Sequence, residues 1–160
     1  NGESKSNGYK PRKASKGRFI QVSAGKMHTC GLTIEGQIEC FGSRRQSNAY
    51  KAKMASAGKF LEVSAGSYHT CGLTTAGMVE CFGNDGSGQC NNYRPKQARS
   101  ATYTHVFAGL IHTCTTTLHG AIECFGSDAN GRSNRYKPKV PSKRRFAQVS
   151  AGWDHRPGNG

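Results

Sequence analysis

Three triplets, His28-Thr29-Cys30, His69-Thr70-Cys71 and His112-Thr113-Cys114, are each followed after nine residues by a second cysteine, Cys40, Cys81 or Cys124, which adjoins Glu39, Glu80 or Glu123. Imidazole, thiol and carboxylate groups in register could hold a metal, move protons at a phosphodiester or close disulfides. Zinc sites built on hairpins usually draw paired ligands two to four residues apart, and nine does not suit them. No metal and no cofactor are expected. The six histidines with Glu39, Glu80 and Glu123 leave acid-base cleavage of a bound nucleic acid, a nuclease-type toxin, as the only enzymatic alternative. No Ser/His/Asp order, phosphate-cradling glycine loop or His-x-x-x-His pair stands out, and the glycines are assigned to turns. The periodic histidines are expected to be structural, with the imidazole bonded to backbone at the start of a strand.

The cysteines need elements that bring them together. Apolar-polar alternation flanks Ile34-Glu35-Gly36, Thr75-Ala76-Gly77 and Leu118-His119-Gly120, which reads as a hairpin with a three-residue loop and a left-handed glycine at its last position. Folding about Glu35 sets Cys30 opposite Cys40 and Leu32 opposite Ile38 on one face, and Gly31 opposite Glu39 on the other. The same register about Ala76 and His119 makes Cys30-Cys40, Cys71-Cys81 and Cys114-Cys124 natural disulfides, each worth roughly 2.5 kcal/mol in the chain-entropy account of a loop of about 11 residues. Cys90 stands where the other copies have Ser6, Ser47 and Ser133. It is expected to be a free thiol or an interchain disulfide.

These hairpins belong to a longer repeat. Phe19 to Gly42 returns as Phe60 to Gly83, again as Tyr103 to Gly126, and begins a fourth time at Phe146-Ala-Gln-Val-Ser-Ala-Gly-Trp-Asp-His155. The period of 41 to 43 residues divides one repeat domain of 160 residues into 19–59, 60–102 and 103–145, with a truncated repeat at 146–160 and the tail of a repeat at 1–18. The tail assignment rests on the gapless match of Ser6 to Phe19 with Ser133 to Phe146. Only 34% of the chain is apolar, against about 45–50% for globular domains. A thin core braced by disulfides points to an oxidising compartment and a secreted, extracellular protein. No apolar run is long enough for a transmembrane span. The start at Asn1-Gly-Glu-Ser, without Met or an apolar leader, reads as a processed protein or a fragment.

The pattern Val-Ser-Ala-Gly-x-x-His-Thr-Cys-Gly-Leu-Thr-x-x-Gly-x-(Ile/Val)-Glu-Cys-Phe-Gly resembles the repeat of the regulator of chromosome condensation superfamily, in its extracellular, cysteine-bearing form. The resemblance implies an all-β, β-propeller-type array of four-stranded blades, with three full repeats and split partial repeats at the termini. Members include a nucleotide exchange factor that docks on chromatin and secreted inhibitors of β-lactamases, so a protein-binding inhibitor or recognition propeller acting through its loop face is an alternative function. Phe41, Phe82 and Phe125 stand where the family often has Trp, and the family's Gly-Gln ending occurs only in Gly83 to Gln89. The family closes rings of about seven blades, which two such chains would supply. A homodimeric closed ring is therefore expected alongside a fragment of a longer chain.

The charge is sorted rather than spread. The net charge is +14, and 21 of the 23 Lys and Arg fall in 1–18, 43–59, 84–102 and 127–145. Equivalent segments occupy equivalent places in a radial array, so these cations should form a ring or crescent. The candidate polyanion-binding residues are Lys10, Arg12, Lys13, Arg44, Arg45, Lys51, Arg94, Lys96, Arg99, Arg132, Arg135, Lys137, Lys139, Lys143, Arg144 and Arg145. Tyr9, Tyr50, Tyr93 and Tyr136 recur in one register as candidate stacking residues, although a periodic aromatic equally suits packing between blades. Cations with interleaved aromatics engage polyanions by releasing condensed counterions and by stacking. The expected partner is an acidic polymer or surface, either nucleic acid or sulfated glycan, and the expected role is binding, in defence or as a toxin.

Overall fold

A computed structural model describes residues 18–42, 59–86, 88–90 and 102–126. Nine strands form three antiparallel sheets of three. The first holds β1 (Phe19–Ala24), β2 (His28–Thr33) and β3 (Ile38–Gly42). The second holds β4 (Phe60–Ala65), β5 (His69–Thr74) and β6 (Val79–Gly83), and the third β7 (Tyr103–Ala108), β8 (His112–Thr117) and β9 (Ile122–Gly126). Any fourth strand of a blade would fall on 43–58, 91–101 or 127–145, outside the described residues, as do the assigned tail 1–17 and the truncated copy 146–160. No closed propeller is seen among the described residues.

The hairpin register is Cys30 with Cys40, Leu32 with Ile38 and Gly31 with Glu39, repeated about Cys71/Cys81 and Cys114/Cys124. Each loop closes through two backbone bonds: Gly36 N–H donates to Thr33 O, and Thr33 N–H to Gln37 O. The turn then needs a left-handed last residue, and Gly36, Gly77 and Gly120 have φ of 80°, 73° and 77°. A bulge at the second residue of each first strand shifts its register. It turns Ile20 and Leu61 outward, 63% and 60% exposed.

The core lies between sheets rather than within one. Cys30, Leu32 and Ile38 of the first pack against Phe60, Val63 and Ala65 of the second. Cys71 and Leu73 of the second meet Tyr103 and Val106 of the third in the same way. Each small core thus draws on two blades, and the middle blade contributes to both, which is why one copy could not bury its apolar face alone.

Two glycine positions correct the reading that glycines serve only turns. Gly31 and Gly72 lie inside strands, and a Cβ on Gly72 would run into both the Phe60 ring and the Ile38 side chain. The first strand's aromatic ring therefore lies flat over a strand glycine. The third copy has Thr115 there. Its hydroxyl donates to Glu123 O, and Tyr103, replacing Phe, donates its own hydroxyl to Glu123 Oε2 at 2.8 Å. Gly25 and Gly66 serve a close backbone approach, since a Cβ at either would strike the carbonyl oxygen of Gly66 or Gly109 in the next blade.

Candidate functional site

The histidines join one blade to the next. Nε2 of His28 lies 2.6 Å from Thr70 Oγ1, and Nε2 of His69 lies 2.8 Å from Thr113 Oγ1. The same hydroxyls sit 3.3 and 3.4 Å from Cys30 Sγ and Cys71 Sγ. Thr113 Oγ1 also donates to Gln89 O at 3.0 Å, which fixes the Gly-Gln ending of the second copy against the third. The expectation that these rings bond to backbone is thereby corrected for Nε2: its partner is a hydroxyl in another repeat. Burial disfavours the imidazolium and lowers the pKa of both His28 and His69 to about 4, with the neighbouring histidines adding to the effect at His69. Neutral, hydroxyl-bonded rings are built for packing rather than proton transfer at neutral pH. Among the described residues no group of three or more His, Cys, Asp or Glu converges as a metal site.

A second set of contacts links the first strands. Gln21 Oε1 accepts from Val63 N–H at 2.8 Å and Ser23 Oγ from Ala65 N–H at 2.9 Å. One blade on, Glu62 Oε2 accepts from Val106 N–H at 3.1 Å and Ser64 Oγ from Ala108 N–H at 2.9 Å. Together with the His–Thr bond, these form a three-point latch on each interface. His105 carried no signal in the sequence, yet its Nδ1 lies 3.5 Å from Glu62 Oε2. Desolvation raises the Glu62 pKa, against the opposing pull of the Val106 N–H and of His105.

The three disulfides are formed, with Cα atoms 4.0 Å apart in each pair. Cys90 is a free cysteine whose Sγ donates to Asn84 O at 3.4 Å and whose N–H donates to Asp85 Oδ1 at 2.8 Å. Burial, with Asp85 adding, pushes its thiol up to about 12. It stays protonated at neutral pH and is a poor nucleophile.

All sixteen candidate polyanion-binding cations and Tyr9, Tyr50, Tyr93 and Tyr136 lie outside the described residues. The fold does fix where their segments attach. Segment 43–58 runs from the end of β3, the strand at one edge of its sheet, to the residue before β4. Residues 91–101 likewise lie between β6 and β7, and 127–145 follow β9. The opposite edge belongs to β1, β4 and β7, which lie against one another through the Gln/Glu and Ser contacts above. The blades themselves carry little positive charge: the described residues hold Arg18, Lys26 and Lys59 against six carboxylates. Lys26 Nζ lies 3.3 Å from Tyr68 OH, 5.5 Å from that ring's centre.

Three-stranded antiparallel sheets that repeat along the chain and share cores resemble successive propeller blades. Residues 60–89 match the model of the Regulator of chromosome condensation (RCC1) repeat, and the sheets at 19–42 and 103–126 repeat the strand order and register of that segment. The structure is similar to Prp20p from Saccharomyces cerevisiae, with a TM-score of 0.66 and 19% identity over 89% of this chain and 43% of that one. It is similar to the ectodomain of the Physcomitrella patens receptor kinase CR4, with a TM-score of 0.63 and 21% identity over 87% of this chain and 35% of that one. For the CRINKLY WD40 ectodomain of the Arabidopsis thaliana receptor kinase ACR4 the values are 0.62 and 19%, over 86% and 44%. The chain spans less than half the length of each. No curated protein matches its sequence. Three disulfides, in a fold shared with receptor ectodomains, suggest an extracellular protein.

Proposed function

We propose that this chain is a secreted RCC1-type repeat protein that binds an acidic polymer through the basic segments between its blades. The observation that carries this reading is the separation of charge from scaffold. The described blades have twice as many carboxylates as cations, whereas the remaining residues hold 20 of the 23 Lys and Arg and three of the nine acids. Solubility needs no such sorting and is met by mixed signs. In chain order one basic segment follows the edge strand β3, β6 or β9 of each sheet, so a periodic polyanion would meet one such segment per blade.

The buried, neutral histidines support binding over cleavage. His28 and His69 are engaged with threonine hydroxyls inside the inter-blade contacts, where no phosphodiester could reach them. The test is titration of heparin fragments, single-stranded DNA and duplex DNA at about 50 mM salt, where phosphate contacts are strong. Binding of at least one polymer, recovered uncut, supports the proposal. No binding by any of the three rejects it, and cut DNA replaces it with a nuclease.

A further inference from the structure

Each hairpin loop exposes one large aliphatic side chain. They are Ile34, Met78 and Leu118, 58%, 57% and 68% exposed. The position changes while the type persists. Where the first and third copies have Ile34 and Leu118 the second has Thr75, and its apolar residue follows Gly77 instead, where the other two have Gln37 and Ala121. Leu61 adds a fourth from the bulge of β4, at the same end of its sheet, since Phe60 pairs with Thr74 beside the loop. All four lie outside both cores, so packing does not require them. Solubility would favour polar residues at such loop positions.

The four lie on one continuous rim. Phe60 N–H donates to Gly36 O of the first loop, and Thr75 N–H of the second loop to Lys59 O. Tyr103 N–H donates to Gly77 O, and Leu118 N–H of the third loop to Thr102 O. The three loops and the entries to β4 and β7 are thereby bonded in series. The other end of the sheets differs. In the turns at 25–27, 66–68 and 109–111, Met27, Tyr68, Leu110 and Ile111 are half-buried, and among these residues no large apolar side chain is exposed. The rim also carries cations: Arg18 O accepts from Ile34 N–H, and Arg18 and Lys59 are both exposed beside the loops. The basic stretches 43–58 and 91–101 lead in sequence into Lys59 and Thr102. Glu35 is exposed on the first loop, and Ala76 and His119 take its place on the other two.

We infer that this rim docks on an anionic lipid surface. Ile34, Leu61, Met78 and Leu118 enter the headgroup region, and Arg18 and Lys59 lie against the lipid charges. A connected row of exposed apolar side chains marks an interaction site where isolated ones do not. Aliphatic groups held singly on successive loops suit a fluid interface, which needs no complementary shape, and cations beside them are drawn to acidic headgroups. A protein partner would call instead for clustered aromatic and arginine anchors. The loops 34–37, 75–78 and 118–121 hold no Phe, Tyr, Trp or Arg.

Flotation of the full chain with phosphatidylcholine vesicles, with and without phosphatidylserine, at about 150 mM salt tests this. The protein should float with the anionic vesicles. Leu61→Ser and Met78→Ser together remove apolar area without changing charge. They should lower the partition coefficient at least about tenfold, since binding scales with the apolar area buried, and leave heparin affinity unchanged. Leu118→Trp in a Trp153→Phe background should shift its emission to the blue on anionic vesicles and be quenched by brominated acyl chains. This probe removes nothing from the core, so it decides the matter if the double variant fails to fold. No flotation, a partition that the double substitution leaves intact, or an emission that lipid does not move overturns the inference. Self-association of the lipid-free protein that the double substitution abolishes assigns the rim to a second copy and overturns it as well. Vesicle binding without heparin or DNA binding rejects the polymer reading and leaves this one standing, and the reverse result rejects only this one.

Discussion

His28 Nε2 and Thr70 Oγ1 lie 2.6 Å apart across a separation of 42 residues, and the same bond recurs between His69 and Thr113. The threonine hydroxyl also faces a disulfide sulfur, so one buried atom ties a ring, a cross-link and a neighbouring strand together. Thr70→Val keeps the shape and removes the hydroxyl. It should cost about 2 kcal/mol, the penalty for leaving a buried polar group unsatisfied. Thr70→Ser should recover most of the loss. Urea unfolding midpoints at fixed slope measure both.

Stability should depend on pH through the same histidines. Their pKa falls from 6.5 in the unfolded chain to about 4 in the fold, so between these values the unfolded chain binds more protons than the native one. Native stability is then fully present above pH 6.5 and is lost progressively as pH falls towards 4. Urea midpoints should drop between pH 7 and pH 4.5. A midpoint unchanged over that interval would mean that the rings titrate normally and are not buried.

Glu62 offers a substitution that the protein has already made elsewhere. Gln21 performs the same acceptor role one blade earlier, and desolvation already disfavours the Glu62 carboxylate. Glu62→Gln should therefore change stability by less than about 0.5 kcal/mol, while Glu62→Ala, which leaves Val106 N–H unpaired, should cost roughly 1–2 kcal/mol. A large loss in the Gln variant would show that the ion pair to His105, and not the backbone bond, is what matters there.

Gly72→Ala should destabilise by about 1–3 kcal/mol through overpacking, because the added methyl meets Phe60 and Ile38 together. Thermal unfolding with the disulfides intact would register it. The paired change Gly72→Thr with Phe60→Tyr copies the third blade and should be better tolerated than Gly72→Thr alone.

The hairpins and cysteine pairs were legible because they are local: a left-handed glycine and a two-residue period fix the register over eleven residues. The interfaces were not legible, because their partners lie 40 to 44 residues apart and each member looks unremarkable alone. Gln21 and Glu62 share no chemistry except an acceptor oxygen, so a search for identity passes over them. The hairpin register already placed Gly31 opposite Glu39 inside a ladder, but the aromatic ring packed over Gly31 and Gly72 comes from another strand and was not legible. Compositional signals such as the sorted cations could be read directly, since a count needs no geometry.

The claim that the basic segments, and not the blades, carry the function is tested most directly by the salt dependence of heparin affinity in two charge-removal variants. Replacing Arg135, Lys137, Arg144 and Arg145 with Gln should weaken binding and make the slope of log affinity against log salt shallower, as loss of polyanion contacts requires. Replacing Lys26, the cation among the described residues that lies outside those segments, should change it far less. An affinity that ignores salt, or that falls more in the second variant than in the first, contradicts the account.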